Sequence, residues 1–208
     1  MQVGNANVGG DARVNTGNIT QGQTGMLNSQ NMAIGNADRG KSTVTTGNVN
    51  QSQTGMLQQQ EMNLGSVSGT GKANVTTGTV TQGQAGMLNS QNMNVGGVSG
   101  SGSSNVRASS ITQGQAGMLQ RQNMEIGNSS GGGRSNVNVG PVIQGQAGML
   151  NNQDMQIGKA SSGGSSNVRM GTAVQGQAGM LNNQTMKVGN ASGGGRSNVA
   201  VGTVIQGQ

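Results

Sequence analysis

Side chains that could support catalysis are scarce in this chain. It has no histidine or cysteine, and its carboxylates number five: Asp11, Asp38, Glu61, Glu125 and Asp154. Only Glu61 and Asp154 share a position of the sequence repeat described below, and they lie three units apart, so the pattern contains no carboxylate pair of the kind that acid–base catalysis or glycoside hydrolysis uses. Serine and threonine are plentiful but lack an activating base. We therefore predict no catalytic residues and no cofactor, and a protein that is not an enzyme.

Methionine is the remaining residue type with metal chemistry, because thioethers bind Cu(I). Most of the 14 methionines fall in two columns that lie six residues apart in each repeat. The first methionine column is Met26, Met56, Met87, Met118, Met149 and Met180, and the second is Met32, Met62, Met93, Met124, Met155 and Met186. Unbranched methionine also fills irregular space in a core without aromatic side chains. We predict that both columns pack in the interior and that neither holds a metal.

Two strings of residues recur along the whole chain. Gln-(Gly/Ser)-Gln-(Ala/Thr)-Gly-Met-Leu begins first at Gln21 and returns every 30 or 31 residues, and Met-x-(Val/Ile/Leu)-Gly begins at Met1 and at each member of the second methionine column. Since Met1 is in register and the last unit is incomplete, we expect a segment of a longer array. The chain is predicted to be a single repeat array with units 1–31, 32–61, 62–92, 93–123, 124–154, 155–185 and a partial unit 186–208.

Each unit reads as short strands closed by one glycine-rich loop. From Val137 to Ile157 most apolar residues occupy alternate positions, which is the strand period, and frequent glycine argues against a helix. The one-residue deletion in the second unit lies in the Gly/Ser segment, as an exposed loop allows. Gly148 and Gly158 are the predicted corners. With 41 glycines and no aromatic residue, a thin core shared between stacked units is expected. The predicted fold is an all-β parallel β-solenoid, or cross-β stack, with one rung per repeat.

Glutamine holds the same positions in every unit. Stacking would bring these amides one strand spacing apart, where each can donate to one neighbour and accept from the other. Low-complexity disorder is the alternative, but disorder does not require glutamine at a fixed position. The predicted ladders are Gln21, Gln51, Gln82, Gln113, Gln144, Gln175 and Gln206; Gln30, Gln60, Gln91, Gln122, Gln153 and Gln184; and a further one that runs from Gln23 to Gln208.

The net charge of +6 arises from 11 basic and 5 acidic residues that are scattered singly along the sequence. This balance predicts a modest attraction to matrix polyanions, whereas specific nucleic-acid binding would require clustered basic residues and stacking aromatics. Arginine occupies alternate units at Arg134 and Arg196, and again at Arg107 and Arg169. We expect no like charges to stack in neighbouring strands. No apolar run is long enough for a membrane span, and the first residues do not resemble a signal peptide.

The string Gln-x-Gly-x-x-Asn occurs at 23–28, 84–89, 146–151 and 177–182. This string resembles the repeat core of curli-type bacterial functional amyloid subunits, and the richness in Gly, Asn, Gln and Val is similar to that of the related Fap fibrils. The resemblance covers six residues of each repeat. It implies secretion across the outer membrane, assembly into fibrils and a role in a biofilm matrix.

These observations predict a structural subunit of a self-assembling extracellular filament that stacks end to end with copies of itself. Two other functions fit the repeat. A solenoid stalk or adhesin would display a binding domain that lies outside this segment. An ice-binding solenoid would need a flat array of threonine, which Thr16, Thr46 and Thr77 begin but later units do not continue.

Overall fold

The computed structural model describes residues 1–207, in which every regular element is a β-strand. The strands are β1 (Gln2–Val3), β2 (Asp11–Thr16), β3 (Ile19–Ile34), β4 (Lys41–Thr46), β5 (Val49–Leu64), β6 (Val67–Gly69), β7 (Lys72–Val95), β8 (Val98–Gly100), β9 (Ser103–Ile126), β10 (Ser129–Ser130), β11 (Arg134–Val139), β12 (Val142–Ile157), β13 (Ser165–Val188) and β14 (Arg196–Gly207).

Parallel pairing between consecutive repeats generates the fold. Gln113 in β9 pairs with Gln144 in β12, which in turn pairs with Gln175 in β13. The same offset holds along the chain and builds a β-solenoid of about seven turns with rungs about 31 residues apart. The predicted fold class is therefore confirmed. The second unit is one residue shorter than the later ones, and the deletion lies between Ala37 and Lys41. Ala37 pairs with Val67 at an offset of 30 residues, whereas Lys41 pairs with Lys72 at an offset of 31.

Each rung has three arms, which we name from the fifth rung. The first arm is β11, the second spans residues 142–148 of β12, and the third spans residues 150–157 of the same strand. The glycine-rich loop that precedes the first arm contributes the short strand β10, which pairs with β8, itself paired with β6, in a second sheet. This order of arms repeats in every complete rung and sets which side chains point inward.

The alternation of inward and outward side chains is interrupted twice in each rung. Val139 and Val142 are both buried although they differ in parity, so the phase changes at Gly140 and Pro141. It changes again at the corner formed by residues 148–150, after which Asn151 is buried. The prediction of one unbroken alternation from Val137 to Ile157 is therefore wrong. At each corner the chain adds one residue to the alternation, so the inward side chains change from odd to even positions and back again.

The apolar core lies between the first arm, the beginning of the second arm and the end of the third arm. It contains the second methionine column together with inward valine, isoleucine and leucine, which are almost completely buried from the second to the fifth rung. Gly158 makes the predicted corner with a φ of 67°, which glycine adopts at low cost. At Gly148 the reason is closeness, because a Cβ atom there would lie 1.8 Å from the carbonyl oxygen of Gly117. Both predicted corners are confirmed.

Candidate functional site

Glutamine amides form three continuous ladders inside the solenoid, and we name each from its member in the fifth rung. In each ladder the Nε2 group donates to the Oε1 atom of the preceding rung, as Gln144 does to Gln113 at 3.1 Å. The corresponding distances are 2.9 Å from Gln146 to Gln115 and 2.8 Å from Gln153 to Gln122. All three ladders therefore run in the same direction along the solenoid axis.

In the Gln144 and Gln146 ladders the amides also form a hydrogen bond across the rung. Gln144 Nε2 also donates to the carbonyl of Asp154 at 3.4 Å, and Gln146 Nε2 donates to the carbonyl of Asn152 at 3.3 Å. Because a primary amide has two donors, one bond along the axis and one across the rung satisfy both. The second and third arms thus face each other across a core of amides, and Asn151 at their common corner donates to the carbonyl of Gly148 at 3.3 Å.

The glutamine ladders are the sequence prediction that the structure supports most directly. The amides of the Gln144, Gln146 and Gln153 ladders are at most 5% exposed from the second to the fifth rung. Gln206 pairs with Gln175 through the backbone but its own side chain is exposed. Gln208 lies outside the described residues. The inward orientation of the ladders follows from the phase changes at the corners.

The two methionine columns have opposite environments. Met32, Met62, Met93, Met124 and Met155 are completely buried, whereas Met186 in the sixth rung is only partly buried. The prediction that both columns pack in the interior is wrong for the first column. Its members are 43–77% exposed, because they lie at the corner between the second and third arms, where the phase changes. This first column is Met26, Met56, Met87, Met118, Met149 and Met180.

Leucine follows each exposed methionine and extends the apolar corner. The leucines are 41–79% exposed and line a groove of about 830 Å³ along the solenoid axis. With the first methionine column they form the Met–Leu ridge, whose leucines are Leu27, Leu57, Leu88, Leu119, Leu150 and Leu181. The ridge is a continuous apolar surface. From the sequence alone its residues cannot be distinguished from residues of the core.

The charged residues are ordered by arm. The outward positions of the first arm hold Arg134 and Arg196 in alternate rungs of one column, as expected, but Lys41 pairs directly with Lys72 in the same column. The prediction that no like charges stack is therefore wrong at this step. The view of the basic residues as scattered is also wrong, because seven of them share the outward face of this arm: Arg13, Lys41, Lys72, Arg107, Arg134, Arg169 and Arg196.

The threonine column of the ice-binding hypothesis is mostly buried. Thr46 and Thr77 are only 6% and 5% exposed and point into the core, whereas Thr16 in the first rung is exposed. Within residues 1–207 no group of three or more His, Cys, Asp or Glu side chains is placed to hold a metal ion. That part of the chain also contains no helix that could serve as a transmembrane segment.

Comparisons with known protein families, curated proteins and solved structures find no match for this chain.

Proposed function

We propose that this protein is a structural subunit of an extracellular filament that grows by stacking rungs along the solenoid axis. The observation that carries the proposal is the pair of ends of the Gln153 ladder. Among the described residues, the Nε2 group of Gln30 and the Oε1 atom of Gln184 are buried without a hydrogen-bond partner. A donor is thus free at one end and an acceptor at the other, so a further rung on either side would satisfy both.

Addition of a rung is energetically favourable because it pairs buried polar groups. Leaving a buried amide group unpaired costs about 1–3 kcal/mol. At the same end of the stack the Oε1 atom of Gln175 is also buried and unpaired, but Gln206 of the seventh rung already pairs with Gln175 through the backbone, so the free acceptor that faces a missing rung is that of Gln184. Backbone N–H and C=O groups at the edge of a parallel stack recruit further strands in the same way. A second copy has the same rung spacing and the same order of side chains, so it fits this end.

The extracellular and biofilm roles rest on the resemblance to curli-type and Fap subunits, which act as matrix fibres. A protein that works by stacking needs no catalytic site, and we propose that this chain is not an enzyme. Its main partner in this proposal is another copy of itself.

The test is electron cryo-microscopy and fibre diffraction of the purified protein at neutral pH. We expect long unbranched filaments with a meridional repeat of about 4.8 Å, the spacing of adjacent strands. Gln184→Glu should shorten the filaments, because a carboxylate cannot donate within the ladder and adds a charge at each junction. Asn183→Asp is the matched control, since it introduces the same charge on an exposed position of the same rung. Discrete rods of one fixed length for the unmodified protein would refute assembly by stacking.

A solenoid stalk is the second candidate, and the same observation favours it, because the rungs that satisfy Gln30 and Gln184 can belong to the same polypeptide. In a stalk the ladder ends would be paired within one chain, and the number of repeats in the polypeptide would determine the length of the rod. Rods whose length follows the number of repeats expressed, without growth at higher protein concentration, would support the stalk over the filament.

A further inference from the structure

The outward face of the first arm carries one basic side chain in every rung. These seven side chains, which we call the basic stripe, are all exposed: Arg13, Lys41, Lys72, Arg107, Arg134, Arg169 and Arg196. Asp11 is the only acidic residue on the same face of the described rungs. From the first to the seventh rung the stripe is about 30 Å long, at about 4.8 Å per rung.

The side chains of the stripe occupy three columns: Lys41 and Lys72 share the column of Arg134, Arg13 lies in the central column, and from the fourth rung onward the cations alternate between the two edges of the arm. In the fourth to seventh rungs Arg107 and Arg169 lie in one column, and Arg134 and Arg196 lie in another, so successive cations form a zigzag. A column of asparagine runs between these two columns, with Asn136 paired to Asn105 and Asn167. The face therefore offers one positive charge per rung and a central row of amide donors and acceptors.

The other faces do not share this character. The outward positions of the second arm carry no charge, because they hold glycine, alanine, threonine, serine, asparagine and a few apolar residues. The outward positions of the third arm mix acidic Glu61, Glu125 and Asp154 with basic Arg121 and Lys187. The seven cations and one carboxylate of the first arm therefore equal the whole net charge of +6. This concentration on a single face is what a linear polyanion needs from its binding surface.

We propose that the basic stripe binds an acidic polysaccharide that lies along the solenoid axis. A polyuronate carries one carboxylate per sugar unit, and its units have a length similar to the rung spacing, so its charges can meet the stripe rung by rung. Duplex DNA carries a charge about every 1.7 Å of its axis, far denser than the stripe. Nucleic acid in single strands is usually held by stacking on aromatic side chains, which this chain lacks. The polar asparagine row between the cations suits sugar hydroxyls.

This proposal does not depend on filament formation, because the stripe is complete within one chain. Its test is the binding of sodium polygalacturonate to the soluble protein, measured by calorimetry at several salt concentrations. The stripe variant combines Arg107→Asn, Arg134→Ser and Arg169→Asn, the residues that neighbouring rungs carry in the same columns. We expect at least a tenfold loss of affinity, and a slope of log affinity against log salt that is shallower by about 2.

The matched control combines Arg121→Asn, Lys159→Asn and Lys187→Gln, which remove the same charge from other faces and also use residues of neighbouring rungs. It should bind nearly as well as the unmodified protein. Far-UV circular dichroism checks that both variants keep the solenoid. Equal losses in the two variants would show attraction by net charge alone and overturn the proposal, as would no binding of the unmodified protein. Tighter binding of a DNA duplex that depends on the stripe would replace the polysaccharide with nucleic acid.

Discussion

Replacing Gln113 with leucine tests whether the amide core stabilises the fold. Gln113 is completely buried and takes part in three hydrogen bonds. Its Nε2 group donates to Gln82 at 3.0 Å and to the carbonyl of Asn123 at 3.5 Å, and its Oε1 atom accepts from Gln144 at 3.1 Å. Leucine occupies a similar volume but leaves all three partners without this contact.

The magnitude follows from those partners. Each buried polar group that loses its partner costs about 1–3 kcal/mol, and the gain from burying an apolar leucine side chain of about 1.5–3 kcal/mol offsets part of the sum. We expect Gln113→Leu to lower the free energy of unfolding by about 3 kcal/mol. Gln175→Leu should cost less by about 1 kcal/mol or more, because the Oε1 atom of Gln175 has no partner to lose.

The assay is equilibrium unfolding in urea followed by far-UV circular dichroism. Thr112→Ile is the control, since its side chain points outward on the same strand and the next rung already has Ile143 in that column. The control should change the free energy of unfolding by less than about 0.5 kcal/mol. If Gln113→Leu were as stable as the control, the ladders would be incidental to stability and our account of the core would be refuted.

Three further predictions follow from the geometry of the rungs. Hydrogen peroxide should oxidise Met149 and its exposed column well before Met155 and its buried column, as peptide mass spectrometry can measure; equal rates would contradict their placement. Gly117→Ala should prevent folding, because its Cβ would lie 1.5 Å from the carbonyl oxygen of Gly86, whereas Gly145→Ala has open space and should remain folded by circular dichroism. Lys72→Ser should raise the free energy of unfolding by about 0.2–0.5 kcal/mol at low salt by separating stacked lysines, and a gain that persists in 1 M salt would refute this cause.

Most of the fold could be predicted from the sequence repeat. Once a unit is about 31 residues long and too thin to bury its own face, parallel stacking in register is the only arrangement that aligns its glutamines. The ladders and the loop with the deletion follow from that register alone. Those features depend on which residues align between rungs, and the sequence displays that alignment directly.

Most features that the sequence did not reveal depend on the corners. The inward phase shifts at two corners, one at Gly140 and Pro141 and the other at residues 148–150. Periodicity alone does not show how many residues each corner contains. Met149 therefore looked like a core residue although it is 46% exposed. The basic stripe was missed for a related reason, because its cations lie in different columns and share a face only when the limits of the first arm are known.

Hydrogen bonds along the axis also determine how the solenoid bears force. A load applied evenly to whole rungs is shared by every backbone and amide bond between two rungs, so the stack resists tension as a rigid rod. A load applied to one chain end instead detaches the outermost rung arm by arm, since each rung contacts only its neighbours. Every rung that is peeled away releases about 100 Å of extended chain. The solenoid is therefore stiff along its axis and, when a single strand end is pulled, lengthens in equal steps.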